Sequence, residues 1–174
     1  MTSPPDRLTL VLGGARSGKS RQGEALVRAA GPAPWTYVAT AEAFDAEMAE
    51  RIARHREDRG AGWVTIEAPH DLVGALRTAD AAGRPVLVDC LTLWLTNRML
   101  ADADLAAEGD ALVAALAGLA VPVVAVSNEV GLGIVPDNAL ARAFRDAQGR
   151  LNQAVAARAD RVLFMAAGLA LRMK

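Results

Sequence analysis

The sequence predicts an α/β fold in three layers, a mainly parallel sheet with helices on both faces. Two observations carry this. Short, continuous apolar runs alternate with longer helix-patterned stretches along the whole chain, and the first run opens into a glycine-rich turn that leads straight into a helical stretch. The length of 174 residues suits one core, so residues 1–174 read as a single domain.

The elements follow in order. Leu8 to Leu12 is an apolar strand ending at Gly13-Gly14, and Ser17 to Ala30 reads as a helix. Trp35 to Thr40 is a second strand, followed by a polar helical stretch from Phe44 to about Asp58. Trp63 to Glu67 is a short strand and Asp71 to Ala82 a helix. Pro85 to Val88 is a buried strand ending at Asp89. A helix with a loop covers Leu91 to about Asp104. A further helix, Ala107 to Leu119, precedes the strand Val121 to Val126. After a loop from Ser127 to Pro136 comes a long helix, Asp137 to Ala159, with Asp137 or Asn138 as its cap. Arg161 to Ala166 is the closing strand.

Composition excludes several classes. Hydrophobic residues at 52% and charged residues at 22% describe a globular chain, not a disordered one. A net charge of −1 leaves no electrostatic footprint for nucleic acid. The one cysteine, Cys90, cannot form an intramolecular disulfide, which points to a cytoplasmic location. It follows an apolar run and reads as a buried, inert thiol. No signal peptide is visible. The most apolar stretch, Ala111 to Val126, is broken by Gly118 and Pro122 and is shorter than the roughly 20 residues of a membrane span.

Gly13-Gly14-Ala15-Arg16-Ser17-Gly18-Lys19-Ser20 fits G-x-x-x-x-G-K-[ST] between a strand and a helix. Glycines let the loop wrap phosphates with inward N–H groups, and the helix adds its positive N-terminal end. Lys19 is expected to reach the β- and γ-phosphates of a nucleoside triphosphate, and the Ser20 hydroxyl to ligate Mg²⁺. Asp89, at the end of the run Val86-Leu87-Val88, is the expected second Mg²⁺ anchor, or else a cap of the following helix. In a parallel sheet, ligands sit at the carboxyl ends of the strands. Gly13-Gly14, Thr40, Asp89 and Asn128-Glu129 all follow strand ends and are expected on one rim.

The chain has two histidines. His55 stands three residues beyond the apolar series Phe44, Met48 and Ile52, with Arg51 and Arg59 at four-residue spacing. One reading is a solvated, charged helix. The other is a nucleophilic imidazole among phosphate-binding guanidiniums, which would keep the ring neutral near pH 7. His70, between Pro69 and Asp71, reads as a loop residue at a helix start with no assigned role.

These residues resemble a known family nearly end to end, that of the bifunctional adenosylcobinamide kinase / adenosylcobinamide-phosphate guanylyltransferase of cobalamin biosynthesis. The resemblance rests on the loop from Gly13 to Ser20, Tyr37-Val38-Ala39-Thr40, Asp45-Ala46-Glu47-Met48 with Arg51-Ile52, and His55 with Arg59. It continues through Trp63 with Glu67, and Asp89-Cys90-Leu91-Thr92 with Thr96-Asn97. The most specific block runs from Asn128 to Pro136, followed by Leu140 to Asp146 and Gly149 to Gln153. The resemblance implies a RecA-like P-loop fold, a homotrimer, and two reactions. A nucleoside triphosphate, ATP or GTP, phosphorylates the aminopropanol hydroxyl of adenosylcobinamide. GMP then passes from GTP, by way of a histidine, to the adenosylcobinamide phosphate. On this alignment His55 is the GMP carrier. Nucleotide contacts fall on Gly13 to Ser20, on Ala39, Thr40 and Ala41, on Arg56, Glu57, Asp58 and Arg59, and on Glu67 and Asp89. Family members carry Asp or Glu at the Asp89 position. Some have two adjacent histidines where this chain has Arg54-His55.

Two other classes share the phosphate loop: a P-loop kinase of one activity with a structural His55, and a GTP switch or RecA-like motor. A switch carries an N-K-x-D guanine motif, and the comparable strand end here reads Asn128-Glu129-Val130-Gly131. A motor calls for basic stripes or further domains.

Overall fold

Strand β1 (Leu8–Gly13) is buried along its whole length, as its unbroken apolar run requires of a strand covered on both faces. It lies fifth in a seven-stranded sheet of order β3-β2-β4-β5-β1-β6-β7. The computed structural model describes residues 6–43, 50 and 59–174. In chain order the elements after β1 are α1 (Lys19–Ala30), β2 (Trp35–Ala39), β3 (Trp63–Glu67), α2 (Leu72–Ala81), β4 (Val86–Asp89), α3 (Leu91–Leu100), α4 (Leu105–Gly118), β5 (Val123–Asn128), α5 (Ala139–Arg158), β6 (Arg161–Ala166) and β7 (Leu169–Arg172). Apart from Glu50, the helical stretch expected from Phe44 to Asp58 falls outside the described residues.

Strands β1 to β6 pair in parallel, so all six point their carboxyl ends to one rim. Side chains alternate across the sheet. Leu10, Leu12, Val86, Val88, Val123 and Ala125 pack beneath α2, α3, α4 and α5. Val11, Leu87, Val124, Val126 and Met165 pack on the other face, against Val27 of α1. Burying each Leu or Val of this kind contributes about 1.5–3 kcal/mol relative to leaving it in water.

Three helix starts are capped by side chains. Asp71 Oδ1 accepts from the Gly74 amide at 2.8 Å. Asp104 Oδ1 accepts from the amides of Ala106 and Ala107. Of the two candidates at the last helix, Asn138 is the cap, accepting from Ala141 N at 2.7 Å. Such caps are worth about 1 kcal/mol each.

One expectation is corrected. Arg161–Ala166 is not the closing strand, because β7 returns antiparallel to β6 with Leu169 opposite Ala166. The turn residues Ala167 and Gly168 have φ of 51° and 78°, the two positive values a two-residue hairpin uses. All four residues of β7 are exposed, so no burial pattern announces it in the sequence.

Candidate active site

The phosphate loop is built as the spacing requires. An added Cβ at Gly13 would stand 2.5 Å from Ser17 Oγ and 2.7 Å from the Met165 carbonyl, so only glycine lets the loop fold back so tightly. Gly18, with φ of 94°, is the N-cap residue of α1. The helix therefore begins at Lys19, two residues later than the sequence pattern suggested. No side chain caps it and no acid stands in its first turn. Its first amides and its positive end are accordingly turned to the loop without a carboxylate competing for them. Lys19 Nζ donates to the Gly14 carbonyl at 2.7 Å, which folds the ammonium back over the loop. Ser17 is only 7% exposed, and its hydroxyl has no hydrogen-bond partner among the described residues. A shielded donor inside an amide-lined loop fits an anionic oxygen. Ala15 and Arg16 are exposed at the crest.

Asp89 ends β4, and β5 alone separates β4 from β1. Gly13 is in register with Asn128 and Asp89 with Val126, two residues apart along β5. Strand spacing and rise then put the Cα atoms of Gly13 and Asp89 about 12 Å apart. That gap suits a triphosphate and its cation. Cys90 senses both sides: burial pushes its thiol up to about 11, the Asp89 carboxylate pushes the same way, and Lys19 opposes.

Three side chains fix Asp89 and its surroundings. Tyr37 of β2 donates its hydroxyl to Asp89 Oδ2 at 3.2 Å. Burial first, and then the Asp89 carboxylate, hold the Tyr37 phenol far above its usual range. Arg59, 7% exposed, lays its guanidinium carbon 3.5 Å from the centre of the Tyr37 ring. Arg28 of α1 donates to the Arg59 carbonyl at 3.0 Å and also lies over Trp35 and Trp63.

Thr40 has a task of its own. It is 0% exposed, and its hydroxyl donates to Cys90 O at 2.7 Å while accepting from Cys90 N at 2.8 Å. Its amide reaches Asp89 O, and its carbonyl accepts from Asn97 Nδ2 at 2.9 Å. Every polar group of Thr40 is thus spent inside the protein, positioning the acidic strand end.

The remaining expected residues are distributed as follows. Ala39 is buried, Ala41 half-buried and Ser20 half-buried in the first turn of α1. Glu67 is exposed at the end of β3, in register with Ala39. Asn128 and Glu129 adjoin the phosphate loop, Glu129 N donating to Gly13 O at 3.1 Å. Beneath them a polar network of Thr92, Ser127, Gln148 and Asn152 holds the Asn128 backbone, with Thr92 Oγ1 on its amide and Asn152 Nδ2 on its carbonyl. His55, Arg56, Glu57 and Asp58 lie outside the described residues. His70 sits before α2, with Nε2 3.4 Å from Glu42 Oε2, and its carbonyl accepts from Trp94 Nε1.

No local pattern in the sequence assigns a task to the side chains of Tyr37, Arg28, Asn97 or Asn152. The available signal is a side chain with a polar end inside a buried strand, Tyr37 between the buried Thr36 and Val38 being the clearest case.

Ser20 and Asp89 offer hard oxygen donors, the chemistry Mg²⁺ prefers. Among the described residues no group of three or more His, Cys, Asp and Glu side chains forms a metal cage. Two protein oxygens with phosphate and water completing the shell is the usual Mg²⁺ arrangement, so the residues fit that ion. No helix among the described residues is long and apolar enough to cross a membrane.

A parallel sheet with a G-x-x-x-x-G-K-S loop after its first strand, and an acid one strand removed, defines a protein of the RecA-like P-loop fold. The likeness extends to a solved structure, the flagellar accessory protein FlaH from Methanocaldococcus jannaschii. That match has a TM-score of 0.58 and 14% identity, and covers 97% of this chain and 78% of the other. Such identity speaks for the fold alone.

The chain belongs to the CobU family, described as cobinamide kinase / cobinamide phosphate guanyltransferase, which it matches over residues 9–173. It is 50% identical over 167 residues to the bifunctional adenosylcobalamin biosynthesis protein CobP of Pseudomonas aeruginosa, covering 95% of this chain and 96% of the relative. It is 44% identical to the bifunctional adenosylcobalamin biosynthesis protein CobU of Salmonella typhimurium, covering 96% and 99%. The chain is therefore an enzyme of the kinase and guanyltransferase type for which the family is named.

Proposed function

We propose that this enzyme phosphorylates the aminopropanol hydroxyl of adenosylcobinamide and then joins GMP to the new phosphate through a guanylylated His55, in adenosylcobalamin biosynthesis. The observation that carries the reading is Arg59. In the sequence it stands four positions after His55. Arg59 itself is stacked on Tyr37, whose hydroxyl is bonded to Asp89. The short spacing in the sequence supports a histidine that works beside the acidic strand end.

In the first reaction the acceptor hydroxyl attacks the γ-phosphorus of ATP or GTP. The bond to the β–γ bridging oxygen breaks, the nucleoside diphosphate leaves and the hydroxyl proton is released. In the second, the neutral imidazole of His55 attacks the α-phosphorus of GTP, pyrophosphate departs and the ring loses its proton. A phosphate oxygen of adenosylcobinamide phosphate then attacks the same phosphorus. The P–N bond breaks, His55 is regenerated and adenosylcobinamide-GDP forms. A single histidine carrier splits guanylyl transfer into two in-line displacements.

Both reactions spread negative charge over phosphoryl oxygens, and Lys19 with the amides from Gly13 to Ser20 is arranged to meet it. Mg²⁺ held by Ser20 and Asp89 would supply further charge neutralisation. Arg56, Glu57, Asp58, Arg59 and Glu67 with Ala39 and Ala41 would line the nucleotide, while Thr40 holds the strand end behind them. The proposal includes one domain over residues 1–174, a homotrimer and a cytoplasmic location. The family resemblance supports the trimer, and the lone buried Cys90 supports a reducing compartment.

The test is incubation with Mg²⁺ and GTP labelled at the α-phosphate. Acid-labile, base-stable label on the protein, absent in His55→Ala, is expected. Kinase-active protein that takes up no label would leave a kinase of one activity.

A further inference from the structure

We propose that Tyr37 is a positioning residue that aims the Asp89 carboxylate at the cation accompanying the nucleotide, and that Arg59 clamps the Tyr37 ring for this purpose. The inference rests on the metal-anchor reading of Asp89.

Packing alone does not require a tyrosine at this position. The ring lies in the apolar cluster of Val27, Ala39 and Leu87, where phenylalanine would fill the same volume. The hydroxyl adds a buried polar group that costs free energy unless bonded. Among the described residues its one hydrogen bond goes to Asp89 Oδ2, and Oδ1 accepts none. The carboxylate is thus held by one oxygen and presents the other.

The ring is also fixed independently of the hydroxyl. Arg59 stacks on it at 3.5 Å, and Trp63 meets it edge-on with ring centres 6.1 Å apart. A cation over the π face withdraws electron density and makes the O–H a better donor. Arg28 secures the Arg59 backbone to α1, the helix that begins at the phosphate loop. Phosphate loop helix, Arg59, Tyr37 and Asp89 therefore form one connected chain of contacts. A carboxylate aimed in advance binds a cation without having to be reordered, so its loss should appear in metal dependence and not in nucleotide binding as such.

Tyr37→Phe keeps the ring and both stacks and removes only the oxygen. Calorimetric titration of wild type with GTP is expected to give tighter binding in Mg²⁺ than in EDTA. In Tyr37→Phe the EDTA affinity should stay at the wild-type value, while the Mg²⁺-dependent gain falls about ten- to a hundredfold, the worth of one hydrogen bond to a charged group. The Mg²⁺ concentration for half-maximal kinase rate should rise by a similar factor, with the rate restored at saturating Mg²⁺. Asp89→Asn run beside it separates the two ideas. If Asp89→Asn changes the Mg²⁺ gain and Tyr37→Phe does not, Tyr37 is only packing and the positioning role is overturned. If neither changes it, the metal reading of Asp89 fails and takes this inference with it.

Discussion

The hydroxyl of Thr40 holds both polar groups of the Cys90 backbone, 2.7 Å from the carbonyl and 2.8 Å from the amide, where the chain turns from Asp89 into α3. The contact is fully buried, so water cannot replace it. Thr40→Val keeps the shape, removes the oxygen and strands a donor and an acceptor. We expect a loss of about 2 kcal/mol, which for a chain of this size lowers the melting temperature by about 4–8 °C. Thr40→Ser, which retains the hydroxyl, should recover most of it. Equal losses in both variants, measured by urea unfolding, would put the effect down to packing.

Lys19 offers the opposite balance between stability and activity. Its Nζ reaches the Gly14 carbonyl from a half-buried position, a contact worth about 1 kcal/mol or less to the fold. In the reaction the same ammonium is proposed to meet charge that grows in the transition state. Lys19→Met should therefore melt close to wild type while the turnover of both the kinase and the guanylylation steps falls at least about a hundredfold. Loss of one activity alone would place the two reactions on different phosphate cradles.

These pairs also mark where the sequence could be read and where it could not. The loop from Gly13 to Ser20 is legible because its chemistry is local: eight consecutive residues specify the turn, the helix start and the cation. The order of strands and helices was legible for the same reason, through continuous apolar runs. Tyr37 and Asp89 are 52 residues apart, and Arg28 and Arg59 are 31 apart. Only the register of β2 beside β4, and the packing of α1, bring each pair together. Thr40 could be assigned to the rim because it follows a strand, but nothing local decides that its hydroxyl turns inward to Cys90. The strand β7 has four exposed residues and one partner, so neither periodicity nor burial signals it.

Two helical glycines should respond to alanine with opposite signs. In α1, a Cβ at Gly23 would stand 2.8 Å from Leu87 Cδ1 and 3.1 Å from Val126 Cγ2, both residues fully buried in the sheet. The overpacking cost of about 1–3 kcal/mol exceeds a helix-propensity gain of about 1 kcal/mol, and Gly23→Ala should destabilise by up to about 2 kcal/mol. In α5, a Cβ at Gly149 would meet nothing within 4 Å, so Gly149→Ala should stabilise by up to about 1 kcal/mol. Denaturant midpoints at constant m-value read both. A stabilised Gly23→Ala would mean that α1 can lift from the sheet without cost.

Asp160 gives the fold a pH dependence that is separate from the site. Its Oδ2 accepts from the amides of Arg7 at 2.8 Å and Leu8 at 3.0 Å, tying the turn between α5 and β6 to the start of β1. The Leu8 amide bond is the main cause of a carboxyl held below its usual range, with the Arg7 amide and charge adding to it. A folded-state value below the unfolded one means the unfolded chain binds the proton first. The stabilisation is then complete above the unfolded value, about 3.9, and disappears as pH falls through the folded one. Asp160→Asn keeps a neutral acceptor and removes the charge. Wild type should exceed the variant in unfolding free energy at pH 7, and the difference should shrink steadily below about pH 4. A difference that stays constant from pH 7 to pH 2.5 would show that the Asp160 contribution comes from acceptor geometry and owes nothing to ionisation.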